Sequence, residues 1–285
     1  MIVKETKNTH EKVRDFQNRL YLTAKTSKKR RFHAMYDKIY RKDILEEAWK
    51  RVKTNGGAGG IDKISIDDVI AYGVEKLLDE IAEELKGDLY RCKPVRRTYI
   101  PKADGSKRAL GIPTIKDRIV QMATKIVVEP VFEADFQNCS YGFRPKRSAK
   151  QAMDRIFEVA DAGNALWVID ADIKDYFGSI NHEKLMLLVG QRISDRKVLK
   201  LIREWLRAGI MEAGGYSEST VGAPQGGVIS PLLSNIYLNY FDMYWNRKFA
   251  HLGELVRYAD DFVILCKRMV QAEQAMQAVQ WIMRK

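Results

Sequence analysis

Two short apolar runs carry clustered aspartates, and that pairing constrains this chain more than any other feature. The first is RYADDFVILCK, residues 257–267. Residues 255–259 and 262–266 read as strands, so Asp260 and Asp261 are expected at the tip of a tight hairpin. The second is WVIDADIKDYF, residues 167–177, where a short buried strand leads into Asp170, Asp172 and Asp175. Asp170 and Asp172 share a face if the strand continues, by its two-residue period. An Asp-Asp pair alone means little. Asp67-Asp68 is best explained as first-turn residues of a helix, favoured by the helix dipole.

If the two runs are neighbours in one sheet, their carboxylates converge. Like charges brought together in a partly buried site are unfavourable unless a cation neutralises them. Oxygen ligands without His or Cys suit Mg2+, with Mn2+ as a substitute. Two such ions about 4 Å apart serve phosphoryl transfer by activating a hydroxyl and stabilising the leaving group.

Composition agrees with a polyanionic partner. The 285-residue chain carries a formal charge of +12, which favours nucleic acid or an anionic membrane surface. No apolar run approaches the roughly 18 residues of a spanning helix, so no membrane segment is expected. The N-terminal residues lack the apolar core of a signal peptide. Three widely spaced cysteines fit a reducing cytoplasm and offer no zinc pattern, and only four His are present.

Along the chain, the first 53 residues read as basic helix and include Lys28, Lys29, Arg30 and Arg31. Such a run is either a solvated face or, with Phe32, Tyr36 and Tyr40 interleaved, a nucleic-acid contact. NGGAGGID, residues 55–62, reads as a flexible turn, and no Lys-Ser/Thr follows to make it a phosphate loop. A helix is expected over 65–85 and a hairpin over 95–112, turning at Asp104-Gly105. Further helices are expected over 116–132, 148–160, 183–191 and 196–208. Two more follow, 230–249, opened by Ser230-Pro231, and 269–285.

In order, IPKADGSKRALGIPTIKDRIVQ (100–121), SYGFRPKRSA (140–149), DADIKDYFGSINH (170–182), GAPQGGVISPLLSNIYLN (222–239) and RYADDFVIL (257–265) form a specific set. Together they resemble the reverse transcriptases encoded by bacterial group II introns, also called intron maturases. The resemblance covers nearly the whole chain. It implies an α+β right-hand polymerase fragment, with an antiparallel palm sheet backed by helices and fingers of helices and a hairpin. The N-terminal extension and fingers would occupy 1–165 and the palm 166–285. The family's thumb and C-terminal maturase region would be absent, since the chain ends one helix after YADD.

Carried over residue by residue, the resemblance makes Asp172, Asp260 and Asp261 the metal-binding catalytic triad, with Asp170 the rival to Asp172. It makes Phe177 a steric gate favouring dNTPs, and Gln225 a lining residue of the nucleotide pocket. Lys102 and Arg108 would close on the triphosphate, with Lys107 near enough to be confused with them. Arg144 belongs to a signature but receives no role. Gly178 stands where the family usually has an aspartate, a departure expected to affect loop packing only. The implied reaction is attack of a primer 3′-hydroxyl on a dNTP, templated by RNA and assisted by two Mg2+. Partners would be intron RNA, in splicing and retrohoming, and an RNA template with its DNA primer. The alternatives are a non-catalytic RNA-binding module and another bacterial class such as a retron reverse transcriptase. Oligomeric state is left open, a homodimer included.

Overall fold

The computed structural model describes residues 8–101, 105, 107–164, 167–212, 215–217, 221–222 and 226–284. Helices α1 (Thr9–Thr26), α2 (Tyr36–Ile39), α3 (Lys42–Asn55), α4 (Ile66–Tyr72) and α5 (Val74–Lys86) come first. Strands β1 (Val95–Pro101) and β2 (Lys107–Ile112) precede α6 (Ile115–Glu133) and α7 (Ala149–Val159). Strand β3 (Trp167–Asp172) leads to α8 (Tyr176–Ser179), α9 (His182–Gly190) and α10 (Arg196–Arg207). Then come β4 (Ile210–Glu212), β5 (Gly215–Ser217), α11 (Ser230–Lys248), β6 (Glu254–Tyr258), β7 (Asp261–Cys266) and α12 (Met269–Met283).

The chain divides into two compact units, each discontinuous in sequence. One comprises residues 1–135 and 177–230, the other 136–176 and 231–285. No helix among the described residues is long and apolar enough to cross a membrane.

The first unit is built on α6. Sixteen of its nineteen residues are buried, so it is a central helix packed against α1 and α3 rather than an amphipathic surface helix. Its start is fixed by Thr114, whose hydroxyl accepts from the Asp117 backbone N–H at 3.1 Å. The buried Asp117 carboxylate accepts in turn from the Tyr90 and Thr114 hydroxyls, both at 2.6 Å. The hairpin β1–β2 forms with Arg96 opposite Ile112 and Pro101 opposite Lys107, and β4 and β5 extend it to the order β2-β1-β4-β5.

The first 53 residues do not form one helix. The chain breaks after Thr26 and resumes with two further helices. The helix expected over 65–85 is two helices, separated by Gly73 at φ 106°, a conformation that interrupts the helical ladder. The glycine loop at 55–62 is clamped rather than flexible. Arg118 donates to the Gly56 carbonyl at 3.2 Å and to that of Ala58, and Arg96 donates to the Gly59 carbonyl at 2.8 and 3.0 Å. A side chain on Gly60 would collide with the Thr114 backbone at 2.6 Å, so the loop lies directly on the α6 cap.

The second unit contains the sheet β3-β7-β6, antiparallel throughout. Its core joins Phe241 and Trp245 of α11 to Phe262 and Ile264 of β7 and Ala275, Ala278 and Ile282 of α12. The strand at 167, expected to be buried, is instead an edge strand, with Trp167 44% and Val168 58% exposed. An edge position leaves one side of the ladder open, so apolar composition does not guarantee burial.

The α6 core makes a pH prediction. Glu129 is buried, and burial raises its carboxyl pKa despite Lys125 at 3.6 Å. A raised folded-state pKa adds stability at low pH that is lost as pH rises through it. Glu129→Gln removes that dependence. The melting temperature of the variant minus that of wild type should therefore increase between about pH 4 and about pH 7. A difference that stays flat across that range would contradict the placement.

Candidate active site

Register brings two of the aspartates together. In the β3–β7 ladder Asp172 lies directly opposite Asp261, while Asp170 lies opposite Val263. Opposed residues on antiparallel strands project to the same face with Cβ atoms about 4.5–5.5 Å apart. Asp170 shares that face but sits two residues along the strand. On the other face, Phe262 is buried while Asp261 is exposed.

The turn lies one residue earlier than expected. Strand β6 ends at Tyr258 and β7 begins at Asp261, so Ala259 and Asp260 form the turn and Asp261 is already in the ladder. Ala259 has φ 60°. A positive φ at the first central residue follows the II′ pattern, which normally takes glycine there. Holding alanine in that region costs on the order of 1–2 kcal/mol. An Asp-Asp pair looks equally suited to either turn position, and that is why the sequence misplaced it.

Beneath the turn sits Arg257, fully buried with Asp242 on α11. Its Nε donates to Asp242 Oδ1 at 2.8 Å and its Nη2 to Asp242 Oδ2 at 2.5 Å. Nη2 also donates to Ser140 Oγ at 2.8 Å. Nη1 donates to Asn235 Oδ1 at 3.2 Å and to the Ala259 carbonyl at 2.7 Å. The segment 139–141 docks on β6 through its backbone: Arg257 N–H donates to Cys139 O at 2.7 Å and Tyr141 N–H to Arg257 O at 2.9 Å. Any side chain on Gly142 would fall on the Ala259 backbone nitrogen. Asn235 Nδ2 holds the Gly142 carbonyl at 2.9 Å.

Arg144, left without a role by the sequence, ties this loop to itself. It donates to the carbonyls of Gln137 at 2.6 Å and Ser140 at 2.7 Å, with its guanidinium 5.3 Å from the Phe136 ring centre. Behind β3, the buried Tyr176 hydroxyl donates to Ser234 O at 2.9 Å, and burial pushes its pKa up. Sequence reasoning missed Arg257, Asp242 and Asn235. The available signal was a lone arginine following Leu255 and Val256 in a strand that otherwise reads as core.

The remaining candidates fall in the first unit or outside the described residues. Arg108 is exposed on β2 opposite Ile100. Lys102 and Gln225, with Asp104 of the expected turn, lie outside the described residues. Phe177 is half-buried. A Cβ on Gly222 would meet the Phe177 and Gly178 carbonyls at 2.9 Å, so the start of the PQG block packs on the segment with the Asp-to-Gly departure. Within the block, Gly226 presses on the Gly111 carbonyl, and Gln121 accepts from Val228 N–H at 2.9 Å.

The basic run is not helical. Lys28 and Lys29 lie in a turn after α1, and Lys28 is tied to the Ala134 carbonyl at 2.9 Å and Asp135 at 3.2 Å. Arg30 lies over Phe32 at 5.4 Å, and Lys29, Arg30 and Arg31 are exposed.

Among the described residues, no three His, Cys, Asp or Glu side chains gather tightly enough to hold a metal by themselves. That does not conflict with the opposed carboxylates. Mg2+-type sites commonly use one or two carboxylates and are completed by substrate phosphates rather than by an all-protein cage. The donor set, carboxylate alone at an exposed strand end, fits such a shared site.

Comparison with known proteins identifies the family. The profile of the reverse transcriptase (RNA-dependent DNA polymerase) family matches residues 100–285. Protein YkfC of Escherichia coli K12 is 38% identical over 293 residues, covering 90% of this chain and 76% of YkfC. The group II intron-encoded protein LtrA of Lactococcus lactis is 38% identical over 214 residues, covering 75% of this chain but 35% of LtrA. Among solved structures, a chain of a partial Cas6-RT-Cas1–Cas2 complex aligns with a TM-score of 0.50 and 26% identity, covering 85% of this chain and 40% of that one. The chain therefore belongs to the reverse transcriptase (RNA-dependent DNA polymerase) family, with group II intron-encoded proteins among its relatives.

Proposed function

We propose that this chain is the polymerase portion of a group II intron reverse transcriptase, joining dNTPs to a DNA primer on an RNA template. The observation that carries the reading is the opposition of Asp172 and Asp261 at the strand end beside Asp260. Reverse transcriptases of this family use divalent metal ions, and here Asp172, Asp260 and Asp261 would hold them. Mg2+ is the favoured ion and Mn2+ its substitute. When bound, such ions lower the pKa of the attacking hydroxyl and offset charge on the leaving pyrophosphate.

In this reading Arg108, with Lys102, grips the triphosphate, because guanidinium binds phosphate oxygens in a bidentate way. Phe177 packs under the incoming sugar and excludes a 2′-hydroxyl, and Gln225 lines the pocket. The extension and fingers occupy 1–165 and the palm 166–285, a division by role rather than by packing. Intron RNA is the further partner, a reading supported by the similarity to a group II intron-encoded protein. Of the basic run, Lys29, Arg30 and Arg31 are offered to RNA, while Lys28 is committed to Asp135 and Ala134. The three free cysteines suit a reducing, cytoplasmic setting.

Primer extension on an RNA template tests the reading. With Mg2+, wild type should extend with dNTPs in preference to rNTPs, and Asp172→Asn or Asp260→Asn should lower the rate by at least ~100-fold without unfolding. Extension by these variants at the wild-type rate would sink the assignment. If wild type binds RNA tightly but neither nucleotide is joined, the RNA-binding alternative is favoured instead.

Two further outcomes are specific to side chains. Phe177→Ala should narrow the preference for dNTP over rNTP, and an unchanged ratio would remove Phe177 as the gate. Reversing charge at Lys29, Arg30 and Arg31 should shallow the slope of log affinity for single-stranded RNA against log salt. The expected change is about 0.7 for each phosphate that the variant no longer neutralises. An unchanged slope would make the run a solvated turn.

A further inference from the structure

We propose that Arg257 is the positioning residue of the aspartate hairpin, setting the direction in which Asp260 and Asp261 present their carboxylates. The inference rests on the polymerase reading for its consequence in catalysis, but its geometric content stands on the fold alone.

All five guanidinium N–H groups of Arg257 are used, on three separate segments. Asp242 and Asn235 lie on α11, Ser140 on the loop docked to β6, and Ala259 in the turn. The bond to Ala259 is the decisive one. Its acceptor is the carbonyl of the peptide that supplies the Asp260 nitrogen. A peptide unit is planar, so fixing that oxygen fixes the plane from which the Asp260 Cα departs. The direction of the Asp260 side chain and the entry of Asp261 into β7 follow from that plane.

The turn needs such a restraint. Ala259 occupies a positive φ that alanine disfavours, and conformations of this kind persist only where surroundings over-determine them. The restraint comes from the Arg257 guanidinium on the Ala259 carbonyl, the close approach of Gly142 to the Ala259 nitrogen, and the ladder pair Tyr258–Asp261.

Stability alone does not explain the arrangement. A buried ion pair can often be replaced by apolar residues of similar volume with no loss of stability, whereas removing one partner leaves a stranded charge. An apolar pair would fill the same space under β6 and could pack against the core. It could not hold the Ala259 carbonyl or the Ser140 hydroxyl. The function left for the guanidinium is to orient those groups.

The test uses Arg257→Met/Asp242→Leu, which removes both charges and strands neither, alongside Gly142→Ala, which crowds the turn and leaves the ion pair in place. Four quantities are measured: melting temperature, amide hydrogen exchange at residues 260–262 without metal, Mn2+ affinity by electron paramagnetic resonance, and kcat and KM for dNTP. In the folded variants we expect amide exchange to accelerate. We expect Mn2+ affinity and kcat to fall about 10- to 100-fold, as when a group orienting a metal ligand is removed. KM for dNTP should change far less than kcat.

A merely structural Arg257 would move the melting temperature and leave Mn2+ affinity, exchange and kcat of the folded protein alone, and that result overturns the proposal. If the paired substitution does not fold, Arg257→Lys, which keeps a charge beside Asp242 but loses the planar fork that reaches the Ala259 carbonyl, decides on the same readouts. If wild type itself joins no nucleotide, the polymerase reading fails, while amide exchange and Mn2+ affinity still judge Arg257.

Discussion

A guanidinium and a carboxylate taken fully out of water each lose several kcal/mol of hydration, and only near-complete hydrogen bonding offsets that loss. The second unit is arranged to supply it for Arg257 and Asp242. Strand β6 brings the arginine in from one side, α11 brings Asp242 and Asn235 from another, and the 139–141 loop supplies the Ser140 hydroxyl. The last donor is spent on the turn that carries Asp260. Two of the sequence signatures, SYGFRP and the helix behind the PQG block, thus work as a frame for a third, YADD. Arg144 tightens the frame from outside by holding the Gln137 and Ser140 carbonyls.

The same use of arginine recurs in the first unit, and it changes how the basic composition should be understood. Arg118 and Arg96 clamp the glycine loop by its carbonyls. Arg192 bonds the Ala24 and Lys28 carbonyls and pairs with Asp135 at 2.7 Å. These cations contribute to the long-range field, yet the N–H groups that make these bonds are committed to protein oxygens rather than to phosphate. The charge of +12 therefore overstates the number of side chains open to a nucleic-acid backbone. Exposed cations such as Arg108, Lys29 and Arg31 are better candidates for that task than the count alone suggests.

Much of the fold was legible because local chemistry was explicit. Ser65 and Ser148 cap α4 and α7 with capping boxes, and the 95–112 hairpin and α6 form where patterning placed them. Asp67-Asp68 sits in the first turn of α4, as the helix-dipole reading required. What failed did so where two physical explanations fit the same letters. Asp260-Asp261 suits a turn in either register, and only pairing with β3 puts Asp261 in the ladder. Trp167 and Val168 look like core, but β3 is an edge. Arg257 was the largest omission, because a charged residue in a strand is ordinarily taken to face water.

In the proposed site Asp172, brought opposite Asp261 and beside the Asp260 turn, holds a divalent cation whose coordination substrate completes. Anomalous diffraction from crystals grown with Mn2+, an RNA template, a DNA primer and a non-hydrolysable dNTP would test it most directly. We expect Mn2+ peaks in contact with the Asp172 and Asp260 carboxylates and with phosphate oxygens, at about the 2.0–2.2 Å expected of small hard cations. Peaks confined to other carboxylates, with Asp172 and Asp260 unligated in the ternary complex, would contradict it.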